Sequence, residues 1–330
     1  GAVLLRWHAI SGRSAGARSA RTSEFVSICA GKLSLRCAGA GLEHGQVIRY
    51  TAMPARVQAK LGVAPFHRYT FDDGAVWTEF YRSDAGYVLR FPDLADFDVS
   101  ADGTEVVGYP AEGTDDATVE HLYVNQLMPL ALSRQGRPAF HASVVTVPGG
   151  AVAFLGKTGM GKSTLAASFA LAESAFLTDD SLIVEEQEDH CDAVPSHASL
   201  RLREDSVDAL MSDDAAKAAS VSYSSKARLL AGDALAYYDA PVRLLAAYAL
   251  ADDEPEEVSI RPLSGSERHM AWVENSFLLD IEDRDLLAQH FEWTHRISSQ
   301  VPTFRLDYVR DYGMLADVRH AIRSHVSTLK

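Results

Sequence analysis

Short apolar segments separated by turn residues fill the chain from residue 24 to residue 115. Alternation of apolar and polar positions over such short stretches is typical of strands with one buried face. Two breaks, Ser83-Asp84-Ala85-Gly86 and Ala101-Asp102-Gly103, predict hairpin turns. We interpret Trp77, Phe80 and Tyr81 as core or interface aromatics rather than as ligand contacts. Strands are predicted at residues 25–29, 32–37, 46–50, 77–81, 87–91, 97–100 and 105–109.

The hydrophobic period changes at residue 116. Apolar residues spaced three or four apart predict a helix over residues 116–134, with Asp115 or Thr114 as its N-cap. The sequence Arg134-Gln135-Gly136-Arg137-Pro138 is a stop signal for this helix. A strand is predicted over residues 139–147, followed by a Pro148-Gly149-Gly150 turn and a second strand over residues 151–155.

The rest of the chain mixes strands and helices. Good helix formers occupy residues 165–172. Strands predicted at residues 246–251 and 258–263 lie on either side of an acidic turn, which favours a hairpin. Other strands are predicted at residues 174–178, 181–184 and 301–306, with an extended segment at 195–202. Helices are predicted at residues 205–211, 214–219, 264–274, 284–295 and 314–327.

These patterns divide the 330-residue chain into a tail (1–23), a β-rich N-terminal domain (24–115) and an α/β domain (116–330). The fold class is thus α/β, in the broad sense that includes α+β. The first 22 residues hold four arginines and no acidic residue, a composition shared by transit peptides, disordered tails and unrelated upstream sequence. We expect a frayed tail without a functional role.

The charge and the lengths of the apolar runs bear on whether nucleic acids or membranes are partners. A formal net charge of −14 argues against a broad nucleic-acid footprint, because duplex binding relies on clustered cations. The apolar runs are far shorter than the ~20 residues that cross a bilayer, so no membrane partner is predicted. Cys29, Cys37 and Cys191 share no metal-type spacing, which suits inert thiols in a reduced cytoplasm.

One short stretch carries a specific chemical signal. It matches the phosphate-loop pattern of Gly, four residues, Gly, Lys and Ser/Thr, and it stands between a predicted strand and a predicted helix. Its backbone amides and the helix N-terminus favour a phosphate chain. Lys162 is expected to reach the β- and γ-phosphates, and Ser163 to ligate Mg²⁺. The predicted nucleotide-binding residues are Gly156, Lys157, Thr158, Gly159, Met160, Gly161, Lys162, Ser163 and Thr164.

An acidic pair, Asp179-Asp180, follows the next predicted strand. Strand ends beside a phosphate loop are expected places for a carboxylate directed at Mg²⁺, although such a pair can also cap an ordinary turn. Lys226 and Arg228 are candidates for stabilising phosphate charge, and Arg201 and Arg203 are weaker candidates. His190, His197 and Cys191 show no spacing that fixes a metal site.

Together, these motifs resemble the kinase domain of HPr kinase/phosphorylase, a fold of the HPr-kinase/phosphoenolpyruvate-carboxykinase type. The resemblance is carried by Phe140-His141-Ala142-Ser143, the glycine-rich motif and Thr178-Asp179-Asp180, and it extends weakly over residues 75–320. It is closest to the HPr-kinase-like group that includes lasso-peptide precursor kinases. The glycine-rich signature with its arginine that the phosphorylases carry is absent, so neither dephosphorylation nor HPr as substrate is implied.

The resemblance implies a cytoplasmic kinase that uses ATP and Mg²⁺ to phosphorylate a Ser/Thr hydroxyl of a peptide or protein, such as a biosynthetic precursor. It also implies that homo-oligomers can form. The expected catalytic residues are Asp179, Asp180, His141 and Lys162. One carboxylate acts as the base with support from His141, and the metal is held by Ser163 and Asp180. The alternatives are a small-molecule kinase, an ATPase, and a nucleotide-dependent binding or regulatory module without phosphoryl transfer.

Overall fold

The computed structural model describes residues 27–29, 32–34, 48–71, 73–172, 174–196, 198–211, 227–231, 235–251 and 257–329. The chain divides into two compact units between Thr114 and Asp115. Within the described residues, no helix is long and apolar enough to cross a membrane.

The described strands of the first unit form one eight-stranded sheet. Its strands are β1 (Ser27–Cys29), β2 (Lys32–Ser34), β3 (Arg49–Ala52), β4 (His67–Thr70), β5 (Val76–Ser83), β6 (Gly86–Phe91), β7 (Ala95–Ser100) and β8 (Glu105–Pro110). Their order in the sheet is β1-β2-β3-β8-β7-β6-β5-β4, and only the β3–β8 pair is parallel.

The core of this sheet follows the apolar alternation of its strands. Phe80, Leu89, Phe97 and Val106 are each no more than 1% exposed. The two predicted hairpins are confirmed at β5–β6 and β7–β8. Strand β4 was not predicted, because its sequence is largely polar and three of its four residues are exposed.

The second unit begins with a helical segment and continues as an α/β arrangement. Its strands are β9 (Ala139–Phe140), β10 (Ala142–Val147), β11 (Gly150–Leu155), β12 (Phe176–Thr178), β13 (Leu182–Glu186), β14 (Cys191–Val194), β15 (Ser199–Leu202), β16 (Ala227–Leu230), β17 (Val242–Leu250), β18 (Ser259–Pro262) and β19 (Thr303–Asp307). Its helices are α1 (Asp116–Leu122), a π-helical segment (Tyr123–Leu127), α2 (Met128–Arg134), α3 (Lys162–Ala170), α4 (Glu204–Leu210), α5 (Gly265–Val273), α6 (Arg284–Gln300), a 3₁₀ turn (Tyr312–Met314) and α7 (Leu315–Val326).

The main sheet of this unit has the order β12-β10-β11-β17-β14-β13-β9, with β19 also beside β17 and β18 beside β19. One face is covered by α3 and α7, where Phe169 and Ile322 are fully buried. Trp272 of α5 and Ile297 of α6 are buried in a second cluster with residues of the same sheet. Strands β15 and β16 form a separate antiparallel pair. The result is a mixed α/β unit in which β11 leads directly into α3.

Several predicted elements need correction. The helix predicted over residues 116–134 is interrupted by the π-helical segment, although Asp115 does cap it by accepting a hydrogen bond from the Thr118 amide. The single strand predicted over residues 139–147 is broken at His141, where the chain passes from β9 to β10. The predicted hairpin between residues 246–251 and 258–263 is wrong. Strand β19 runs parallel to β17 and pairs with β18 on its other edge, as suits a central strand with both faces covered. The helix predicted at residues 214–219 lies outside the described residues.

Candidate active site

A glycine loop (residues 156–161) joins β11 to α3. Gly156, Gly159 and Gly161 have φ angles of 147°, 91° and 87°, a region that side chains with a Cβ avoid. Gly161 is also the N-cap residue of α3, so the loop passes into a helix N-terminus. The amide of Gly156 donates to Oδ1 of Asn275 at 3.0 Å. The loop therefore has a backbone conformation that only glycine adopts without strain, and it leaves room for a ligand close to the main chain.

Lys162 is buried at the base of this loop. Its Nζ donates to the carbonyl oxygens of Gly156 at 2.5 Å and of Lys157 at 3.1 Å. A buried ammonium group needs such oxygen partners, because its desolvation costs several kcal/mol. The lysine is thus held inside the curve of the loop, where an anion bound by the loop amides would meet it.

Asp179 lies at the end of β12 and is almost completely buried. Its Oδ1 accepts from Ser143 Oγ at 2.5 Å and its Oδ2 from the Arg201 amide at 2.9 Å, and the Ser163 side chain lies close enough to favour its charged form. Burial, reinforced by the neighbouring charge of Asp180, raises the pKa of Asp179 to about 6 against the pull of these hydrogen bonds. The contact with Ser163 links this carboxylate to the first turn of α3.

Asp180 lies beside Asp179 in a different environment. Its φ of 68° is left-handed, an uncommon conformation for a residue other than glycine. The Asp180 carboxylate is 3.6 Å from Nη1 of Arg201 and 3.9 Å from Nδ1 of His141. The His141 Nδ1–H also donates to the Asp180 carbonyl at 3.1 Å. The two adjacent carboxylates therefore have different surroundings. Asp179 lies behind the glycine loop, and Asp180 lies beside His141.

The break between β9 and β10 positions His141. Its amide donates to the carbonyl of Asn275 at 2.6 Å, while the side chain of the same asparagine accepts from Gly156. Asn275 also donates from Nδ2 to the Ala271 carbonyl, which anchors it to the end of α5. One residue therefore connects the start of the glycine loop to the histidine.

These groups surround a cleft of about 230 Å³. Among the predicted site residues, the loop from Thr158 to Thr164 lines it together with His141 and Asp180. Gly156, Lys157 and Asp179 do not line it. Lys226 lies outside the described residues. Arg228 is opposite Arg201 in the β15–β16 pair, and its side chain is likewise not described.

The cleft also contains residues that the motifs did not single out. Two separate segments, residues 201–206 and 308–315, contribute them, and only Arg201 and Arg203 had been considered, as weak candidates. The additional lining residues are Arg201, Arg203, Asp205, Ser206, Tyr308, Arg310, Asp311, Tyr312 and Leu315. Asn275 was missed entirely, since it lies 119 positions from Gly156 and no local pattern marks it.

The charges of the cleft suit a polyanion. Four cations, Lys162, Arg201, Arg203 and Arg310, line it against three acidic residues, Asp180, Asp205 and Asp311, and Asp180 is neighboured by Arg201. Within the described residues, no cluster of three or more His, Cys, Asp or Glu side chains could hold a metal ion. Mg²⁺ needs no such cluster, because it is commonly held by one or two protein oxygens together with substrate phosphates. Ser163, which lines the cleft, is an oxygen group of that kind, and Asp179 lies behind it.

Comparisons with known proteins add little to the assignment of a function. No family model matches the chain, and no curated protein matches it. Among solved structures, the HPr(Ser) kinase/phosphatase from Coxiella burnetii matches with 12% identity and a TM-score of 0.25, over 49% of this chain and 98% of that one. That protein bears the name of the family that the sequence resembles, but a likeness at this TM-score has no weight for the function of this chain.

Proposed function

We propose that the second unit is an ATP- and Mg²⁺-dependent kinase that transfers a γ-phosphoryl group to a Ser/Thr hydroxyl of a peptide or protein. The observation that supports this most directly is that Asp180 and His141 line the same cleft as Lys162 and Ser163. Phosphoryl transfer requires an anion-binding loop facing a group that can accept the nucleophile's proton. Both are present within one cleft.

The glycine loop binds the phosphates of the nucleotide. Its amides and the N-terminus of α3 supply hydrogen bonds and a favourable dipole. Lys162 exchanges its loop carbonyl partners for phosphate oxygens, which are stronger acceptors because they are charged. Bound Mg-ATP supplies the transferable phosphoryl group and the cation charge that neutralises it.

The geometry favours a division of labour between the two carboxylates that differs from the sequence-based expectation of Asp180 as a metal ligand. Asp179, in contact with Ser163, is the carboxylate on the metal side. Asp180, which lines the cleft beside His141, accepts the proton of the acceptor hydroxyl at a carboxylate oxygen. His141 and Arg201 hold that carboxylate in place from two directions.

The decisive experiment uses the purified full chain, Mg-ATP and the peptide encoded beside its gene. A mass increase of one phosphate on a Ser or Thr of the peptide is expected. Lys162→Ala should abolish both ATP binding and transfer. Asp180→Asn should lower the rate of transfer by about a hundredfold or more, as expected for loss of a general base, and leave the Kd for Mg-ATP within about threefold.

The same pair of variants separates the kinase from the other classes. In a regulatory nucleotide-binding protein, Asp180→Asn would have no effect while Lys162→Ala would still eliminate binding. In an ATPase, hydrolysis would be unchanged by any acceptor peptide or small hydroxyl compound. Binding of ATP without transfer to any tested acceptor would count against the proposal.

A further inference from the structure

Arg203 occupies a special place in the cleft. It ends the β15 segment at the N-cap position of α4 and lies against the tip of the glycine loop. A Cβ atom added to Gly159 would lie 3.6 Å from Nη2 of Arg203. The guanidinium therefore extends over the part of the loop that faces a bound phosphate chain.

The three arginines of the cleft differ in their partners. Arg201 pairs with Asp180 at 3.6 Å. Arg310 donates to the Ala251 carbonyl at 2.6 Å and lies over the Tyr308 ring at 4.0 Å. The Arg203 guanidinium makes no hydrogen bond or ion pair with any described residue, and it is exposed to the cleft. Of these three cations, Arg203 is the one without a charged or hydrogen-bonding partner among the residues that the structure describes.

The backbone that carries Arg203 is rigidly attached to the rest of the site. Leu200 and Leu202 of β15 are buried, and the Arg201 amide between them donates to Asp179. On the other side, the Ser206 hydroxyl of α4 lies 3.1 Å from the Thr164 hydroxyl of α3. The backbone of Arg203 therefore lies between the acidic pair and the first turn of the loop helix, with bonded or buried residues on both sides.

We infer that Arg203 is a catalytic residue that stabilises the charge of the phosphoryl group during transfer; this rests on the kinase function proposed above. In that step the acceptor oxygen forms a bond to phosphorus, its proton passes to Asp180, and the bond to the bridging oxygen breaks with its electron pair leaving on ADP. Negative charge accumulates on the bridging oxygen and on the transferred group. A planar guanidinium over the loop tip donates two hydrogen bonds to those oxygens, as a cis-acting arginine does in other phosphoryl-transfer sites.

The test measures binding and turnover separately for Arg203→Ala and Arg203→Lys in the full chain. The probes are Mg-ATP, whose slow hydrolysis requires no acceptor, and Mg-ADP with aluminium fluoride as a mimic of the transferring phosphoryl group. Arg203→Ala should lower the hydrolysis rate by about a hundredfold or more and change the Kd for Mg-ATP by less than about fivefold. The wild type should bind the fluoride complex more tightly than Mg-ADP alone, and Arg203→Ala should lose that preference. Arg203→Lys should recover only a small part of the hydrolysis rate and of the preference for the fluoride complex, because an ammonium group cannot donate two parallel hydrogen bonds as a guanidinium does.

Arg284→Ala is the matched control, since it removes an exposed arginine of the same unit that does not line the cleft. It should leave the hydrolysis rate, the Kd for Mg-ATP and the preference for the fluoride complex unchanged. If Arg203→Ala hydrolyses ATP and binds the fluoride complex like the wild type, the inference about Arg203 is overturned and the kinase proposal is not. If the wild type binds no nucleotide, both are overturned together.

Discussion

The cleft has two walls that are made in different ways. The loop wall is one continuous stretch, residues 156–163, of which residues 158–163 line the cleft, and it offers a ligand backbone amides, the N-terminus of α3 and one lysine. The acidic wall, formed by His141, Asp180 and Arg201, is brought together from three separate segments and acts through side chains. The first wall depends on a backbone conformation, and the second depends on a network of hydrogen bonds and ion pairs.

This difference determines which substitutions each wall tolerates. On the loop wall, adding a single methyl group to a glycine changes the backbone itself. On the acidic wall, a substitution that preserves shape but removes charge should leave nucleotide binding intact and slow the chemistry. Two kinds of variant can therefore test whether the walls have the separate tasks of holding the nucleotide and activating the acceptor.

Among the glycine and asparagine variants that follow, Gly161→Ala on the loop wall should have the largest effect on ATP affinity. Its φ of 87° costs an L-residue about 1–2 kcal/mol, and the new Cβ would lie 3.4 Å from the Tyr308 hydroxyl. We expect the Kd for Mg-ATP to rise by about tenfold or more, because a loop that relaxes this strain no longer presents its amides correctly. Isothermal titration calorimetry on the full chain would measure it.

Gly149→Ala is the matched control for that variant. Gly149 also has a positive φ, 92°, but it lies in the β10–β11 turn, where a Cβ would meet only Leu245 at 4.0 Å. Both variants should lower the free energy of unfolding by about 1 kcal/mol, whereas only Gly161→Ala should weaken nucleotide binding. Equal ATP affinities in the two variants would show that the loop wall does not hold the nucleotide.

The loop wall could be predicted from sequence because all its residues are contiguous. The spacing of its glycines and the placement of Lys162 report the backbone geometry directly, and the flanking strand and helix are both present as β11 and α3. The Asp179-Asp180 pair was also found, since it follows a strand that could be identified.

The remaining residues of the cleft could not be predicted. Arg310 and Tyr308 reach it only because β19 runs parallel to β17, whereas the sequence favoured a simple hairpin at this point. The different surroundings of Asp179 and Asp180 depend on Ser143, the Arg201 amide and a left-handed φ, and none of these is visible in a local pattern. Asn275 is distant in sequence from the residues of both walls, but it accepts hydrogen bonds from the amides of Gly156 and His141.

A smaller effect is expected from Asn275→Ala, which tests the connection between the walls. Removal of its side chain leaves the buried Gly156 amide without its acceptor, at a cost of about 1–3 kcal/mol, while the main-chain bond to His141 stays in place. We expect the KM for ATP to rise by about threefold to tenfold with a smaller change in kcat.

Asn275→Asp is the informative comparison, because it retains the acceptor for Gly156 while it loses the donor to Ala271 and adds a negative charge. It should recover most of the ATP affinity. If Asn275→Ala instead lowers kcat and leaves KM unchanged, the asparagine serves the acidic wall through His141 rather than the loop wall.

The last effect is on stability rather than on binding and comes from Asp179, which lies behind both walls. Its folded-state pKa of about 6 exceeds the ordinary 3.8, so the stability from its neutral form is fully present below pH 3.8 and is lost as the pH rises through 6. This shift corresponds to at most about 3 kcal/mol. Asp179→Asn can keep both hydrogen bonds, with Oδ1 accepting from Arg201 and Nδ2 donating to Ser143, and it carries no charge. The variant should therefore gain stability relative to the wild type as the pH increases from 4 to 7, as measured by urea unfolding at each pH.

Asp283→Asn should show the opposite trend, since hydrogen bonds at the N-terminus of α6 hold the pKa of Asp283 below its usual value. A difference between Asp179→Asn and wild type that does not depend on pH would mean that Asp179 is ionised without penalty and is not set apart from Asp180 by its burial.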